Sequence, residues 1–325
     1  MKSQIGIDVS KETLDVCHLK NILNLDNDRQ VFSNTKQGYK QLLHWLKKVT
    51  KQSFEQIQAT LEATGVYHLG IAKFLQNKQL IVCVINPLQA HYYAKGLGMR
   101  AKTDRLDSLM LSRYGWEREP VEWQPAPQAL IELKAFNVRL DAVEKDLRRE
   151  QNRLESAVIA DHSKAVIRNI KQSIRFLQKQ ANKLVELIDG LIEDHGDLKR
   201  NRELLQTIKG VGEVTSRYLV AEIYAGRFLS ASQCAAYMGL VPVPEQSGKY
   251  ERVRLSRAGN RKMKAKLYMA AISAKQHNPV LKGHYDRLIA RGKCKMSAIC
   301  AVMRRLVQIS FGIIKHQKEF CLQVA

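Results

Sequence analysis

Ser3-Gln4-Ile5-Gly6-Ile7-Asp8 is a short apolar stretch that ends on an acid, and after the turn Ser10-Lys11-Glu12 a second such stretch runs over 13–19. The two read as neighbouring strands, with Asp8 at the end of the first. Outward from them, 29–33 reads as a third strand, and 36–48 as a helix with Leu42, Leu43 and Leu46 on its apolar side. A buried strand over 57–61 ends at Glu62. A helix over 67–76 and a buried strand over 80–85, closed by Asn86-Pro87, lead on towards Asp104. Strands first and then alternating helices and strands predict an α/β domain with a mixed sheet.

In such sheets reactive groups gather at strand ends, where side chains leave the packed interior and meet solvent. Asp8 and Glu62 both sit there, although an acid after a strand also serves as an ordinary turn or cap residue. The stretch Lys102-Thr103-Asp104-Arg105-Leu106-Asp107 adds two more acids, three positions apart at the start of a helix and hence on one face. Like charges that close repel unless a cation separates them. A hard divalent ion such as Mg²⁺ takes carboxylate oxygens and keeps positions open for water and phosphate. A solvated surface pair is the plain alternative for Asp104 and Asp107 taken alone.

The chain has 325 residues, 45% hydrophobic and 26% charged, enough for two domains and a sizeable core. Fifty-three Lys and Arg against thirty-one Asp and Glu leave +22, a surplus that points to a polyanionic partner. Residues 201–325 hold twenty-two Lys and Arg and seven Asp and Glu, so most of the surplus lies in the last two-fifths of the chain. The six cysteines (Cys17, Cys83, Cys234, Cys294, Cys300, Cys321) form no C-x-x-C pair and indicate neither zinc nor a disulfide framework. With no run of eighteen apolar residues and no signal-peptide pattern, the expectation is a cytoplasmic protein without a membrane span.

Residues 116–127 carry three of the seven prolines and read as a linker. Beyond it Leu133, Leu140, Leu147 and Leu154 recur every seven residues, with Phe136 and Val143 between them. A second stripe runs through Ile170, Ile174, Leu177, Ala181, Leu184, Ile188 and Leu191, and the break lies at 160–163. These are two coiled-coil helices, folded as a hairpin or paired with another protomer; stripes this narrow favour self-association. Residues 204–226 read as helix, turn and helix around Lys209-Gly210-Val211-Gly212. There two glycines permit a sharp turn and present N–H groups at a helix start, as a helix-hairpin-helix does for phosphate. A loop Glu245-Gln246-Ser247-Gly248 follows Gly239-Leu240-Val241-Pro242-Val243-Pro244. Then Lys249, Arg252, Arg254, Arg257, Arg261, Lys262, Lys264 and Lys266 stand against Glu251 alone, a density suited to neutralising phosphates. Met269, Met296 and Met303 read as packing residues of the amphipathic helices that close the chain.

Six motifs in this order, Ile5-Gly-Ile-Asp8-Val-Ser-Lys, Leu61-Glu62-Ala-Thr-Gly-Val-Tyr, Lys102-Thr-Asp104-Arg-Leu-Asp107, Gly239-Leu-Val-Pro, Gln246-Ser247-Gly248 and Leu255-Ser-Arg-Ala-Gly-Asn260, make the chain resemble the IS-one-ten (Piv-type) family of DEDD transposases, also called bridge-RNA-guided recombinases. The resemblance runs nearly end to end. It implies a RuvC-like (RNase H-type) mixed sheet with helices over 1–118, a linker over 119–128, coiled-coil helices over 129–200, and a mostly helical transposase domain with a helix-hairpin-helix over 201–325. Asp8, Glu62, Asp104 and Asp107 would hold Mg²⁺, or Mn²⁺ in its place. Ser247 matches the serine that attacks a DNA phosphate and becomes joined to the strand, with Ser256 as the fallback. Lys102, Arg105, Lys209, Gly210 and Gly212 join the basic run as expected nucleic-acid contacts. Lys209 stands where relatives often have Pro, and Arg257 where Lys is common. The implied partners are donor and target DNA, a guide (bridge) RNA and further copies of the chain as a dimer or tetramer. A RuvC-like nuclease that activates water with two metals, leaving Ser247 structural, is a second reading. A non-catalytic nucleic-acid scaffold is a third.

Overall fold

A computed structural model describes residues 2–63, 65–99, 103–224, 228–248, 250–256 and 259–321, with the side chains of 250–252 excepted. The chain divides into two compact units, Met1–Pro125 and Ala126–Ala325. Among the described residues there are twelve α-helices, a five-stranded sheet and a two-stranded hairpin.

In the first unit β1 (Ser3–Val9), β2 (Thr13–Leu19) and β3 (Asn27–Ser33) form an antiparallel meander, and β4 (Ile57–Glu62) and β5 (Ile81–Ile85) continue the sheet in parallel beyond β1. The order is β3-β2-β1-β4-β5, so β1 lies at the centre. Ile5, Ile7 and Val9 are buried with Leu42 and Leu46 of α1 (Lys36–Thr50) and with Ile71 and Leu75 of α2 (His68–Gln76) in one core. That core is what the two-residue alternation of β1 and the Leu42/Leu46 stripe predict. Helix α3 (Pro87–Gly96) was not expected: Asn86-Pro87 closes β5 and at the same time caps a new helix, with Asn86 accepting from Leu88 N at 2.8 Å.

The other face of β1 carries α4 (Asp104–Arg118). Two glycines seat it. A Cβ on Gly6 would fall 1.9 Å from the Ser108 carbonyl oxygen, and one on Gly115 would fall 2.4 Å from Thr60 Oγ1 and 2.9 Å from Gln4 Oε1. Backbone therefore lies directly on backbone at Gly6. Because Ser108 sits over Gly6 and Gly115 over Gln4, α4 runs back against the direction of β1 and its first turn reaches the end of the strand where Asp8 stands. The proline-rich stretch after α4 is docked rather than free: Trp123 N donates to Val82 O at 2.7 Å, Gln76 Nε2 donates to Trp123 O at 3.2 Å, and the Trp123 ring packs on the sheet core.

In the second unit α5 (Gln128–Ile159) and α6 (Lys164–Glu193) pack against each other within one chain, turning at the expected break. The hairpin arrangement is thus present inside the single chain. Its base is buried through Leu130, Leu133, Leu140, Val143, Ala181, Ile188 and Ile192, which share one core with the helices that follow, while Leu147, Leu154, Ile170 and Leu177 towards the tip are only half buried. Helices α7 (Gly196–Gln206) and α8 (Glu213–Ile223) form the expected helix-turn-helix, and α9 (Ala231–Tyr237) follows. The segment expected as a loop around Ser247 is an extended hairpin instead, β6 (Pro242–Ser247) paired with β7 (Tyr250–Leu255). Two prolines argue against a strand inside a sheet, but β6 is exposed along its whole length and has a single partner, so the missing N–H groups cost no ladder bonds. Helices α10 (Arg261–His277), α11 (Pro279–Ala290) and α12 (Lys295–His316) complete the core. By length and composition α12 is apolar enough to cross a bilayer, yet Val302, Leu306 and Val307 bury it against its neighbours.

Candidate functional site

The register of the sheet brings the acids of the first unit to one end. Ile7 lies beside Leu61 in the parallel pair β1–β4, so the next residues, Asp8 and Glu62, come side by side at that end of the sheet. Across the antiparallel pair Asp8 faces Asp15 directly. Thr103 caps α4, its Oγ1 accepting from Leu106 N at 3.3 Å, which places Asp104 and Asp107 in the first helical turn. There the helix dipole favours carboxylates. Arg29 on β3 ties this turn down by donating from Nη1 to the Arg105 carbonyl at 2.8 Å. Asp8, Glu62 and Asp107 are half buried, and Asp104 and Arg105 are exposed.

The electrostatic result is a carboxyl pushed well out of its ordinary range. Burial first, and then the charges of Asp107, Asp104, Glu62 and Asp15, raise Asp8 from 3.8 to about 6. Asp15 is raised too, by burial and by Asp104. The other three predicted acids therefore all act on Asp8, and Asp15 is a fifth acid that the motifs did not single out. Its signal was available: a hairpin turning at Ser10-Lys11-Glu12 pairs position 15 with position 8. An all-oxygen, mutually repelling donor set fits a hard divalent cation. As placed, no three acids among the described residues gather within ligating reach of one point.

The second unit holds Ser247 at the end of β6, opposite Tyr250 across a turn whose Gly248 has φ +57°. Ser247 is exposed. The hairpin is braced by an ion pair of Arg254 with Glu245. Other motif segments converge nearby: a Cβ on Gly259 would fall 2.5 Å from the Met238 carbonyl carbon and 2.7 Å from Gly239 N, so the Gly239-Leu-Val-Pro and Gly-Asn260 segments are in backbone contact. Asn260 then caps α10, accepting from Lys262 N at 2.9 Å.

The basic residues divide by what they already touch. Lys262 and Lys266 flank Asp141 of α5 at 3.4 and 3.3 Å, and Lys266 lies 4.1 Å from the centre of the Tyr218 ring, whose hydroxyl donates to Asp141 at 2.7 Å. Lys264 donates to the Ser256 carbonyl at 2.7 Å, and burial lowers its pKa. These three lysines help hold α10 in place. Arg261 and Lys209 are exposed. Gly210 adopts φ +104° with its backbone against Ala274, which only glycine permits, and Gly212 caps α8 with no side-chain bond. Glu213 in that first turn competes with any phosphate approaching the helix start. Lys102, Lys249 and Arg257, and the side chain of Arg252, lie outside the described residues.

Comparison with known proteins bears on what this arrangement serves. The chain is 31% identical over 327 residues to the pilin gene-inverting protein of Moraxella bovis, covering 98% of each, and equally so to that of Moraxella lacunata. Residues 5–160 match the DEDD-type IS110 "Transposase" family and residues 202–286 the "Transposase IS116/IS110/IS902 family". This chain belongs to the IS110 transposase family. A Streptomyces coelicolor insertion-element protein of 43.6 kDa is 27% identical over 152 residues, 46% of this chain and 36% of that protein. The DEDD-type match covers Asp8, Glu62, Asp104 and Asp107, so the acids that crowd Asp8 lie within the transposase segment. The second match spans Ser247 and the basic run. Membership makes the chain a transposase, an enzyme of DNA recombination.

Proposed function

We propose that this transposase cuts and rejoins the DNA of a mobile element through Ser247, aided by Mg²⁺ held on Asp8, Glu62, Asp104 and Asp107. The observation that carries the reading is the crowding of Asp8, a carboxyl held at about 6 by burial and by the other acids. Such repulsion is costly in a protein with no use for it, and a divalent cation relieves it. The strand order, an antiparallel meander continued by two parallel strands, supports a RuvC-like (RNase H-type) first unit.

Bound there, Mg²⁺ would polarise the scissile phosphate and favour the alkoxide form of an attacking hydroxyl. Ser247 Oγ bonds to phosphorus as an ester P–O bond of the strand breaks; the hydroxyl proton goes to solvent and the departing sugar oxygen gains one. Attack by a sugar hydroxyl of the new partner strand reverses these steps and frees the serine. An exposed hairpin tip suits a nucleophile that must reach a phosphodiester, and exposed Arg261 follows it in sequence as a donor to the charge that develops on phosphorus. A structured RNA of the element pairs with donor and target DNA, so that base pairing reads sequence while the basic surface of residues 201–325 reads backbone. The relatives named for gene inversion suggest that the same chemistry can yield inversion as well as insertion.

The test incubates purified full-length protein, with RNA transcribed from the DNA flanking its gene, and labelled DNA carrying the element ends. Strand breaks are expected with Mg²⁺ and not with EDTA, and are expected to vanish in Asp8→Asn and Asp104→Asn. Breakage that survives either substitution would overturn the acid assignment.

A further inference from the structure

Helices α11 and α12 pack against each other in the second unit, and a groove of about 330 Å³ opens between them. One wall is the stripe Val280, His284 and Arg287 on α11, spaced i, i+4, i+7. The other is Arg304, Arg305 and Gln308 on α12, with Arg304 and Gln308 one turn apart. No carboxylate is among its described lining residues. Arg287 Nε donates at 3.3 Å to the Gly283 carbonyl of its own helix, and neither Arg304 nor Arg305 has an ion pair among the described residues.

Three arginines line one groove, and the two packed helices fix where their side chains begin. Arg304 and Arg305 sit on the one strip of α12 that meets solvent, because Val302, Leu306 and Val307 fix the rest of the turn in the core. Arg304 is half buried, which limits how far water screens it. His284 between them has its pKa lowered, by burial first and then by the charges of Arg287 and Arg305. Val280 and Ala301 are the aliphatic residues that line it, and the other five lining residues carry polar or charged groups. A phosphate group meets planar forks that match its geometry. No residue of the basic run at 249–266 is among the described lining residues, and the α12 wall lies beyond the 202–286 stretch that matches the transposase family.

We propose that the α11–α12 groove is a second nucleic-acid contact, in which Arg287, Arg304 and Arg305 grip backbone phosphates remote from the reacting one. Both DNA and a structured RNA present that phosphodiester chemistry. The site deepens, and rests on, the reading of residues 201–325 as a surface for nucleic-acid backbone, but it needs neither the acids nor Ser247, so the failure of strand breakage would leave it standing.

The experiment measures binding of the full chain, in EDTA so that no strand is cut, to a mixed-sequence DNA duplex and to an RNA hairpin across a range of salt. Replacing two phosphate contacts in the variant Arg304→Gln/Arg305→Gln is expected to lower affinity about tenfold or more near physiological salt. The slope of log K against log salt is expected to become shallower by roughly two. Arg287→Gln, on the other helix and exposed, is expected to lower the slope by roughly one, and serves as the independent variant should the double change perturb folding. A loss confined to one probe supports the site and identifies its polyanion. Unchanged affinity and slope with both probes, in variants whose thermal unfolding matches the parent, would overturn it.

Discussion

Gly6 on β1 lies beneath the carbonyl of Ser108 on α4 with no room for a methyl group: a Cβ there would be 1.9 Å from that oxygen and 2.4 Å from the Ser112 nitrogen. This contact sets the height of α4 over the sheet and so the position of Asp104 and Asp107 relative to Asp8. Gly6→Ala must lift the helix. Overpacking of this kind costs about 1–3 kcal/mol, more where backbone has to move. The urea midpoint is expected to fall accordingly, and DNA cutting to fall further than the stability change explains, because two of the acids ride on α4. A variant with parental midpoint and activity would show that the helix is not seated as described.

Asp8 gives a pH dependence of definite sign. Its carboxyl is raised from 3.8 to about 6 in the fold, so the folded state holds the proton more tightly than the unfolded chain. Stability from this group is therefore greatest below about pH 4, is lost as pH rises towards about 6, and stays lower above that; Asp15 acts in the same direction. Asp8 is partly exposed, which moderates the effect. Asp8→Asn is expected to flatten the profile between those values and to raise Tm near neutral pH while abolishing DNA cutting. Millimolar Mg²⁺ is expected to raise Tm of the parent and to leave the variant nearly unmoved. Thermal melts across pH, with and without Mg²⁺, check both points, and an equal response of parent and variant to the ion would count against the metal assignment.

Asp189 on α6 joins the long hairpin to α8. It accepts from Arg217 Nε at 3.0 Å and Nη2 at 2.7 Å, and Arg202 adds a third contact at 3.1 Å. Arg217 is buried, so Asp189→Ala strands a guanidinium in the core. The expected loss is about 3 kcal/mol, near the low end for a broken buried pair, since Asp189 is itself partly exposed and Glu213 stands 3.9 Å from Arg217 as a weak substitute. Replacing both partners, as Asp189→Leu with Arg217→Met, is expected to recover most of that loss. Chemical denaturation of the single and double variants separates this outcome from a simple loss of packing at position 189.

How much of this was legible beforehand varied with the range of the interactions involved. The alternation of Ile5, Ile7 and Val9, and the seven-residue spacing of Leu133 and Leu140, are local signals, and they placed the central strands and the two long helices with their break at 160–163; that the helices pack on each other within one chain was not legible in stripes that favoured self-association. Asp8 and Glu62 could be read as strand ends, and register then put them side by side. Helix α3 is not legible in the sequence because Pro-Leu-Gln-Ala-His-Tyr-Tyr-Ala-Lys-Gly has no apolar stripe, and Asn86-Pro87 is at once a strand stop and a helix start. The strand at Pro242–Ser247 escaped because prolines exclude it from a sheet interior but not from an exposed edge. Asp141, which gathers Tyr218, Lys262 and Lys266, could not be read at all: its partners lie far along the chain, and the spacing of the basic run does not reveal which lysines are spoken for.

The most direct measurement of the central claim is mass spectrometry of the covalent complex formed on a DNA substrate nicked so that rejoining is blocked. Ser247 is exposed at a hairpin tip, so Ser247→Ala is expected to fold with an unchanged Tm and to bind DNA as the parent does. The account predicts a phosphopeptide linked to DNA through Ser247 in the parent, and none in Ser247→Ala or Asp8→Asn. An adduct that persists in Ser247→Ala, or cut strands with free ends and no adduct in the parent, would contradict it.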